Sequence, residues 1–248
     1  MLSRVGLGTA GWGTAWEIGV VYELVKRGAI GDSTVLYTAN RSSLVGAAAC
    51  LGGLKGLQAL LDTQTSAVDK CSHANCNGFY AGIFRKQLVD VGEDAKQCYG
   101  FLRMRLQLLQ CANGDAQGTW APAVVSHYAT LQGVVSAAVA ATYIDNVSGP
   151  AVTCRNPNLA TGNAGKLDDA SSALPCASLA NCIGVAPFSA AGVQIYTAMS
   201  GPSGWDAAKW QAAVDTASGF ASGGFDVHYL FTLGRRDARF WLARGLQG

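Results

Sequence analysis

The chain has 248 residues, of which 50% are hydrophobic and 14% are charged, and its formal net charge is +2. This composition excludes intrinsic disorder, and the small net charge argues against a nucleic-acid partner, which normally meets a strongly basic surface. The length favours one large domain over two small ones.

The first fifty residues alternate between short apolar runs and helical patterns. Residues 5–8 predict a strand that ends in glycine, followed by a glycine-rich loop and a helix that stops at Gly28. Residues 35–39 predict a second strand, and Ser43 then opens a helix of small residues. Because strands separated by a helix normally pair in parallel, we expect a right-handed crossover here.

The rest of the chain predicts further helices and several later strands. We expect residues 54–110 to be mostly helical. Extended segments are expected at 134–142, 151–154, 194–198 and 225–233, and helices at 173–182 and 205–217. Together these elements predict an α/β fold with three layers, in which helices flank a central, mostly parallel sheet.

The start of the chain and its apolar runs bear on cellular location. No run reaches the roughly 18 to 20 consecutive apolar residues of a membrane-spanning helix, and no secretory signal is recognisable. We therefore expect an intracellular protein. The opening Met1-Leu2-Ser3-Arg4 resembles the start of a mitochondrial presequence, which suggests a mitochondrial location.

The eight cysteines are expected to be free thiols, most of them in the core. The one local cluster of possible metal ligands consists of Cys71, His73 and Cys76, and it could hold a metal ion or form a local disulfide. No second ligand pair follows at zinc-finger spacing. We therefore predict no metal site and no cofactor.

Three segments together resemble the patatin-like phospholipase family. Residues 11–21 are similar to its glycine-rich oxyanion loop and the following helix, and residues 37–47 to its strand, nucleophile elbow and helix. Residues 177–188 are similar to the helix before its catalytic aspartate. The resemblance implies a patatin-like α/β domain over residues 1–234, followed by a helical tail over 235–248.

The reactive groups of that family are missing from the matching positions. Patatin-like hydrolases use a Ser–Asp dyad, with the serine on a Gly-x-Ser-x-Gly elbow, but here Asn40 stands at the nucleophile position. Asparagine tolerates the positive φ of such an elbow, but its carboxamide is not a usable nucleophile. The position of the aspartate falls near Ala198, and the chain contains no Asp-Gly pair.

The oxyanion loop is also altered. Of the glycines in the family's loop, only Gly11 stands at the matching position, and Gly13 replaces the arginine of the family. Trp12 adds a bulky side chain near the mouth of the expected site. Such a loop stabilises the transition state through amide groups aimed at the developing oxyanion. With nucleophile, aspartate and loop arginine all absent, the sequence predicts a pseudoenzyme with no catalytic residue.

The resemblance therefore implies a catalytically inactive, structural or accessory subunit of a larger complex, with other protein subunits as partners. Two alternatives stay open. One is a lipid acyl hydrolase, a phospholipase or esterase, in which Ser42 or Ser43 replaces the nucleophile, although Ser43 is expected to cap a helix. The other is a non-catalytic lipid-binding protein that keeps an acyl pocket.

The end of the chain combines arginine with aromatic residues. One interpretation is a closing helix packed on its own domain. The other is docking on a partner protein or an anionic membrane surface, because arginine beside tryptophan and phenylalanine is typical of interface anchors. The candidate interface residues are Arg235, Arg236, Arg239, Phe240 and Trp241.

Overall fold

The computed structural model of the chain describes residues 1–8, 13–39, 41–71, 79–95, 104–111, 120–125, 128, 130–142, 182–183, 195–196, 202–210 and 226–245. Five helices lie in these ranges: α1 (Gly13–Lys26), α2 (Ser42–Cys71), α3 (Phe79–Ala95), α4 (Leu131–Ala141) and α5 (Val227–Ala243). The strands are β1 (Arg4–Leu7), β2 (Val35–Thr38), β3 (Met104–Cys111), β4 (Trp120–Val125), β5 (Cys182–Ile183) and β6 (Ile195–Tyr196).

The strands pair in the order β4-β3-β2-β1-β6, with β5 beside β3. The pair of β1 and β2 is parallel and runs from Arg4 opposite Val35 to Leu7 opposite Thr38. β3 adds three parallel pairs to β2, and β6 adds two to β1. β4 and β5 both run antiparallel to β3.

The predicted three-layer, patatin-like α/β domain is wrong. In the ranges that the structure describes most residues are helical, and the helices hold more than three times as many residues as the strands. The parallel core is small, because β1 and β2 have only four residues each. The helices pack chiefly against one another, α5 on α1 and α3 on α2, instead of covering both faces of a broad sheet.

Several individual elements explain this difference. The initial order of strand, helix, strand and helix is confirmed, and so is an extended segment at β6. The strand predicted at 134–142 is helix α4, and the one at 225–233 lies largely in α5. A short apolar run fits a buried helix as well as a buried strand, so periodicity does not separate them. Conversely, residues 104–110, expected in a helix, lie in β3.

Helix α2 meets the length and composition of a membrane-spanning helix over Ser42–Ser66. In this fold 56% of its apolar window is buried inside the protein, and a core helix satisfies the same criterion. The helix also breaks at Gly53, whose φ of 54° lies in the left-handed region that favours glycine. α2 is thus two helical segments joined at a bend.

Helix α5 packs across α1, and two glycines allow the close approach. A Cβ at Gly19 would overlap the carbonyl oxygen of Phe231, and a Cβ at Gly234 would overlap that of Trp16. Around this crossing Leu230 of α5 is completely buried. The tail predicted from residue 235 therefore continues a helix that begins at Val227 and packs on its own chain, which favours the closing-helix interpretation.

Candidate functional site

The carboxyl ends of β1 and β2 lie beside the amino ends of two helices. Leu7 and Thr38 are neighbours at the end of the parallel pair, and α1 and α2 begin a few residues later. Ligands of parallel sheets bind at this edge, because helix amino termini and loops converge there. The strand-end site, as we call it, comprises Gly8, Thr14, Glu17, Thr38, Ser42 and Ser43.

The polar side chains of the strand-end site are buried. Glu17, Thr38, Ser42 and Ser43 are each 0% exposed. The Gly8 N–H donates a hydrogen bond of 3.2 Å to Glu17 Oε1, so the carboxylate ties the end of β1 to the first turns of α1. Burying a carboxylate is costly unless hydrogen bonds satisfy it, and this bond supplies part of that compensation.

Three hydroxyl groups of the site find no hydrogen-bond partner in the described part of the chain: Thr14 Oγ1, Thr38 Oγ1 and Ser43 Oγ. Ser43 is therefore not the helix cap predicted from the sequence. The helix begins one residue earlier, and its first turn is closed by a backbone bond from Leu44 to Arg41. A Cβ at Gly46 would overlap the Thr38 methyl group, so α2 lies directly on β2.

Most of the positions that match the catalytic site of the patatin-like family lie outside the described residues. These are Gly11, Trp12, Asn40 and Ala198. Gly13 is described, and it is the buried first residue of α1. His228, predicted in a strand, lies instead in the exposed first turn of α5, where Asp226 caps the helix by accepting from its N–H.

The cysteine predictions are tested only in part. Cys71 is the last residue of α2, whereas His73 and Cys76 lie outside the described residues. Among the residues that are described, no group of three or more His, Cys, Asp or Glu side chains is placed to hold a metal ion. Cys50 is a free, half-buried thiol that packs against the core, and burial raises its pKa to about 12, so the thiol stays neutral at physiological pH.

The predicted interface residues all lie on α5, but their environments differ. Arg236 donates to the Ser203 carbonyl at 2.9 Å and to the buried Asp237 carboxylate. Phe240 is 46% exposed, with the Arg244 guanidinium 4.1 Å above its ring. Trp241 is half-buried and packs edge-on against Trp16.

The two remaining arginines of that set, Arg235 and Arg239, contact Glu23 of α1. This carboxylate was not among the site residues predicted from the sequence, and neither were those of Glu17 and Asp237. All three are nearly or completely buried. A signal was present for two of them, because Glu17 and Glu23 interrupt the otherwise apolar helix of residues 13–26, and a buried carboxylate there needs a specific partner.

Comparison with known proteins adds no relatives: no protein-family model, no curated protein and no solved structure matches the chain. The resemblance to patatin-like phospholipases thus stays a prediction that rests on three short segments.

Proposed function

We propose that the protein is a non-catalytic accessory subunit of a larger protein complex. The observation that carries this proposal is the burial of the two serines nearest the predicted elbow, Ser42 and Ser43, which are both 0% exposed. A serine nucleophile must approach a substrate carbonyl carbon to about 3 to 3.5 Å. A hydroxyl that no solvent reaches does not meet this condition, which disfavours a displaced nucleophile.

The surroundings of these serines point the same way. A nucleophilic serine needs a general base within hydrogen-bond reach. Ser43 Oγ has no hydrogen-bond partner among the described residues, and the one histidine in that part of the chain, His228, is exposed on α5. Within the strand-end site the Glu17 carboxylate serves the fold, because it accepts the hydrogen bond from the Gly8 N–H.

A role as a subunit is supported by the exposed side of α5. Tyr229 is 54% exposed and Phe240 is 46% exposed, eleven residues apart and therefore on the same side of the helix. Arg236 lies between them in the helix. Tyrosine, phenylalanine and arginine are the residues enriched at the centres of protein interfaces. We therefore take another protein subunit as the partner that binds this side of α5. That the complex is mitochondrial stays a prediction from the first residues of the sequence.

The purified protein is expected to hydrolyse neither short acyl esters nor phospholipids. The measurement is release of p-nitrophenol from short p-nitrophenyl esters and of fatty acid from phosphatidylcholine, with Ser42→Ala and Ser43→Ala variants alongside. Both variants should match the wild-type background. Turnover that disappears in one of them would instead establish a lipid acyl hydrolase with a displaced nucleophile.

In extracts of its source cells the chain is expected to migrate within a large assembly on native electrophoresis. A Tyr229→Asp/Phe240→Asp double variant should fold normally and lose this migration, because charge opposes burial of the exposed side of α5. Lys26→Asp, an exposed charge change on α1, is the control and should stay in the assembly. Wild-type protein that migrates as a single chain would contradict the proposal.

A further inference from the structure

A single buried carboxylate gathers three arginines where α1 and α5 meet. Glu23 Oε1 lies 2.8 Å from Arg27 Nε and 3.6 Å from Arg239 Nε, and Glu23 Oε2 lies 3.0 Å from Arg235 Nε. The Glu23 side chain is 3% exposed. We call these four residues the arginine cluster.

The charges of the arginine cluster do not balance. Three guanidinium groups share one carboxylate, and no other acidic side chain in the described part of the chain forms an ion pair with any of the three. Burial raises the pKa of Glu23, but hydrogen bonds from Arg27 and Arg235 together with the charges of Arg235 and Arg239 outweigh this, and the resulting pKa lies below the ordinary value of 4.5. Glu23 is therefore ionised at neutral pH, and the cluster keeps an excess of two positive charges.

The terminal Nη donors of the three arginines make no hydrogen bond within the described part of the chain. Each arginine approaches Glu23 through its Nε instead. The Arg27, Arg235 and Arg239 side chains are 52%, 30% and 47% exposed, so solvent reaches them. A guanidinium held through Nε keeps its two Nη groups as a planar pair of donors at the end of the side chain.

Other contacts hold two of these guanidinium groups, those of Arg235 and Arg239, in place. The Arg235 guanidinium lies 5.3 Å from the ring centre of Tyr22 and 5.8 Å from that of Phe231. Arg239 Nε also donates to the Arg235 carbonyl at 3.2 Å. Groups that are ordered before binding lose less conformational entropy when a ligand arrives. The cluster is thus an arranged set of donors and not three independent surface charges.

We propose that Arg27, Arg235 and Arg239, arranged by Glu23, form a binding site for a phosphate group. Guanidinium forks match the oxygen spacing of phosphate and bind it through paired hydrogen bonds. A phosphate monoester carries a charge of about −1.5 to −2 at neutral pH, which balances the excess of the cluster. The chemistry is shared by free phosphate and by the phosphomonoester headgroup of phosphatidic acid.

Titration calorimetry with inorganic phosphate at low ionic strength tests the site, because salt screens such contacts. Arg27→Gln and Arg239→Gln should each weaken binding by at least about tenfold, since each removes one fork. Lys26→Gln removes the same charge from the neighbouring residue of α1 and should change the affinity by less than about twofold. No binding to the wild type, or equal losses in all three variants, would overturn the proposal.

The role of Glu23 is tested separately. Glu23→Gln adds a net positive charge, so attraction by charge alone predicts tighter binding, whereas loss of the arrangement predicts binding weaker by about tenfold. Arg27→Lys gives a second measurement if Glu23→Gln does not fold. It keeps the charge but loses the fork, and it should bind several-fold more weakly. Tighter binding in Glu23→Gln, or unchanged binding in Arg27→Lys, would show that the arrangement is irrelevant.

Vesicles distinguish the two sources of the phosphate group. Flotation with phosphatidylcholine vesicles that contain phosphatidic acid is compared with flotation on phosphatidylcholine alone. The lipid headgroup is assigned if the protein floats only with phosphatidic acid, and if Arg239→Gln abolishes and inorganic phosphate reduces this recovery. Free phosphate is assigned if calorimetry detects binding but no protein floats with the vesicles. Recovery that Arg239→Gln does not reduce would contradict the assignment to the cluster. None of these outcomes depends on whether the chain is an accessory subunit.

Discussion

Gly234→Ala is expected to lower the free energy of unfolding by about 3 kcal/mol, the upper end of the usual cost of overpacking. A Cβ at this position would meet the carbonyl oxygen of Trp16 and the amide nitrogen of Val20, which are both backbone atoms of α1. Side chains can rotate away from a new methyl group, but helical backbone cannot, so the two helices must separate. Loss of this contact affects the largest helix–helix interface that the structure describes.

Chemical denaturation followed by circular dichroism measures the effect, and Gly133→Ala is the matched control. Gly133 also lies in a helix, but the nearest atom to its added Cβ, Thr130 Oγ1, is 3.4 Å away, an ordinary contact. Alanine is the better helix former, so this variant should be unchanged or more stable by up to about 1 kcal/mol. Equal stabilities of Gly234→Ala and the wild type would show that α5 does not pack on α1 as described.

Trp16→Ala should lower the free energy of unfolding by about 3 to 5 kcal/mol. Trp16 is completely buried, with Trp210 at 5.3 Å and Trp241 at 5.9 Å between ring centres in edge-on arrangements. Its Nε1–H donates to Asp237 Oδ2 at 3.0 Å, so the substitution also takes a donor from a buried carboxylate. The cost therefore includes a large cavity and a weakened polar contact.

Phe240→Ala provides the comparison for this prediction, because it removes an aromatic ring that is 46% exposed. Its effect should stay within about 1 kcal/mol, the size of an exposed contact between a ring and the Arg244 guanidinium. Thermal unfolding of both variants checks the difference. Equal effects of Trp16→Ala and Phe240→Ala would contradict the three-tryptophan packing between α1, α5 and residues 202–210.

The packing of α5 on α1 also limits where a partner protein can bind. Because Leu230, Asp237 and Ala238 are buried, one side of α5 belongs to the fold, and a partner can dock on the exposed side that carries Tyr229 and Phe240. Trp241, selected from the sequence as an anchor, contributes to the internal packing through Trp16. Point substitutions on the exposed side therefore test docking better than deletion of the whole tail.

Local sequence was sufficient for the first four elements. Short apolar runs bounded by glycine, and a helix with an apolar face between them, predicted β1, α1, β2 and α2 in their observed order. The same reasoning failed for α4 and α5, where apolar and aromatic residues fit either period and the packing partner decides. For α5 a local signal did exist, since Asp226 is the N-cap of the helix.

The sequence also indicated some residues of the candidate sites, whereas others were recognisable only in the tertiary structure. The sequence marked Arg235 and Arg239 as unusual, because several arginines follow one another beside aromatic residues. Only the tertiary structure brought them to Glu23, which lies 212 residues from Arg235 along the chain. A contact between residues so distant in sequence depends on how closely α1 and α5 pack, and Gly19 and Gly234 allow that approach only once both helices have formed. Composition and periodicity describe one segment at a time, so they carry no information on which buried carboxylate will meet which arginine.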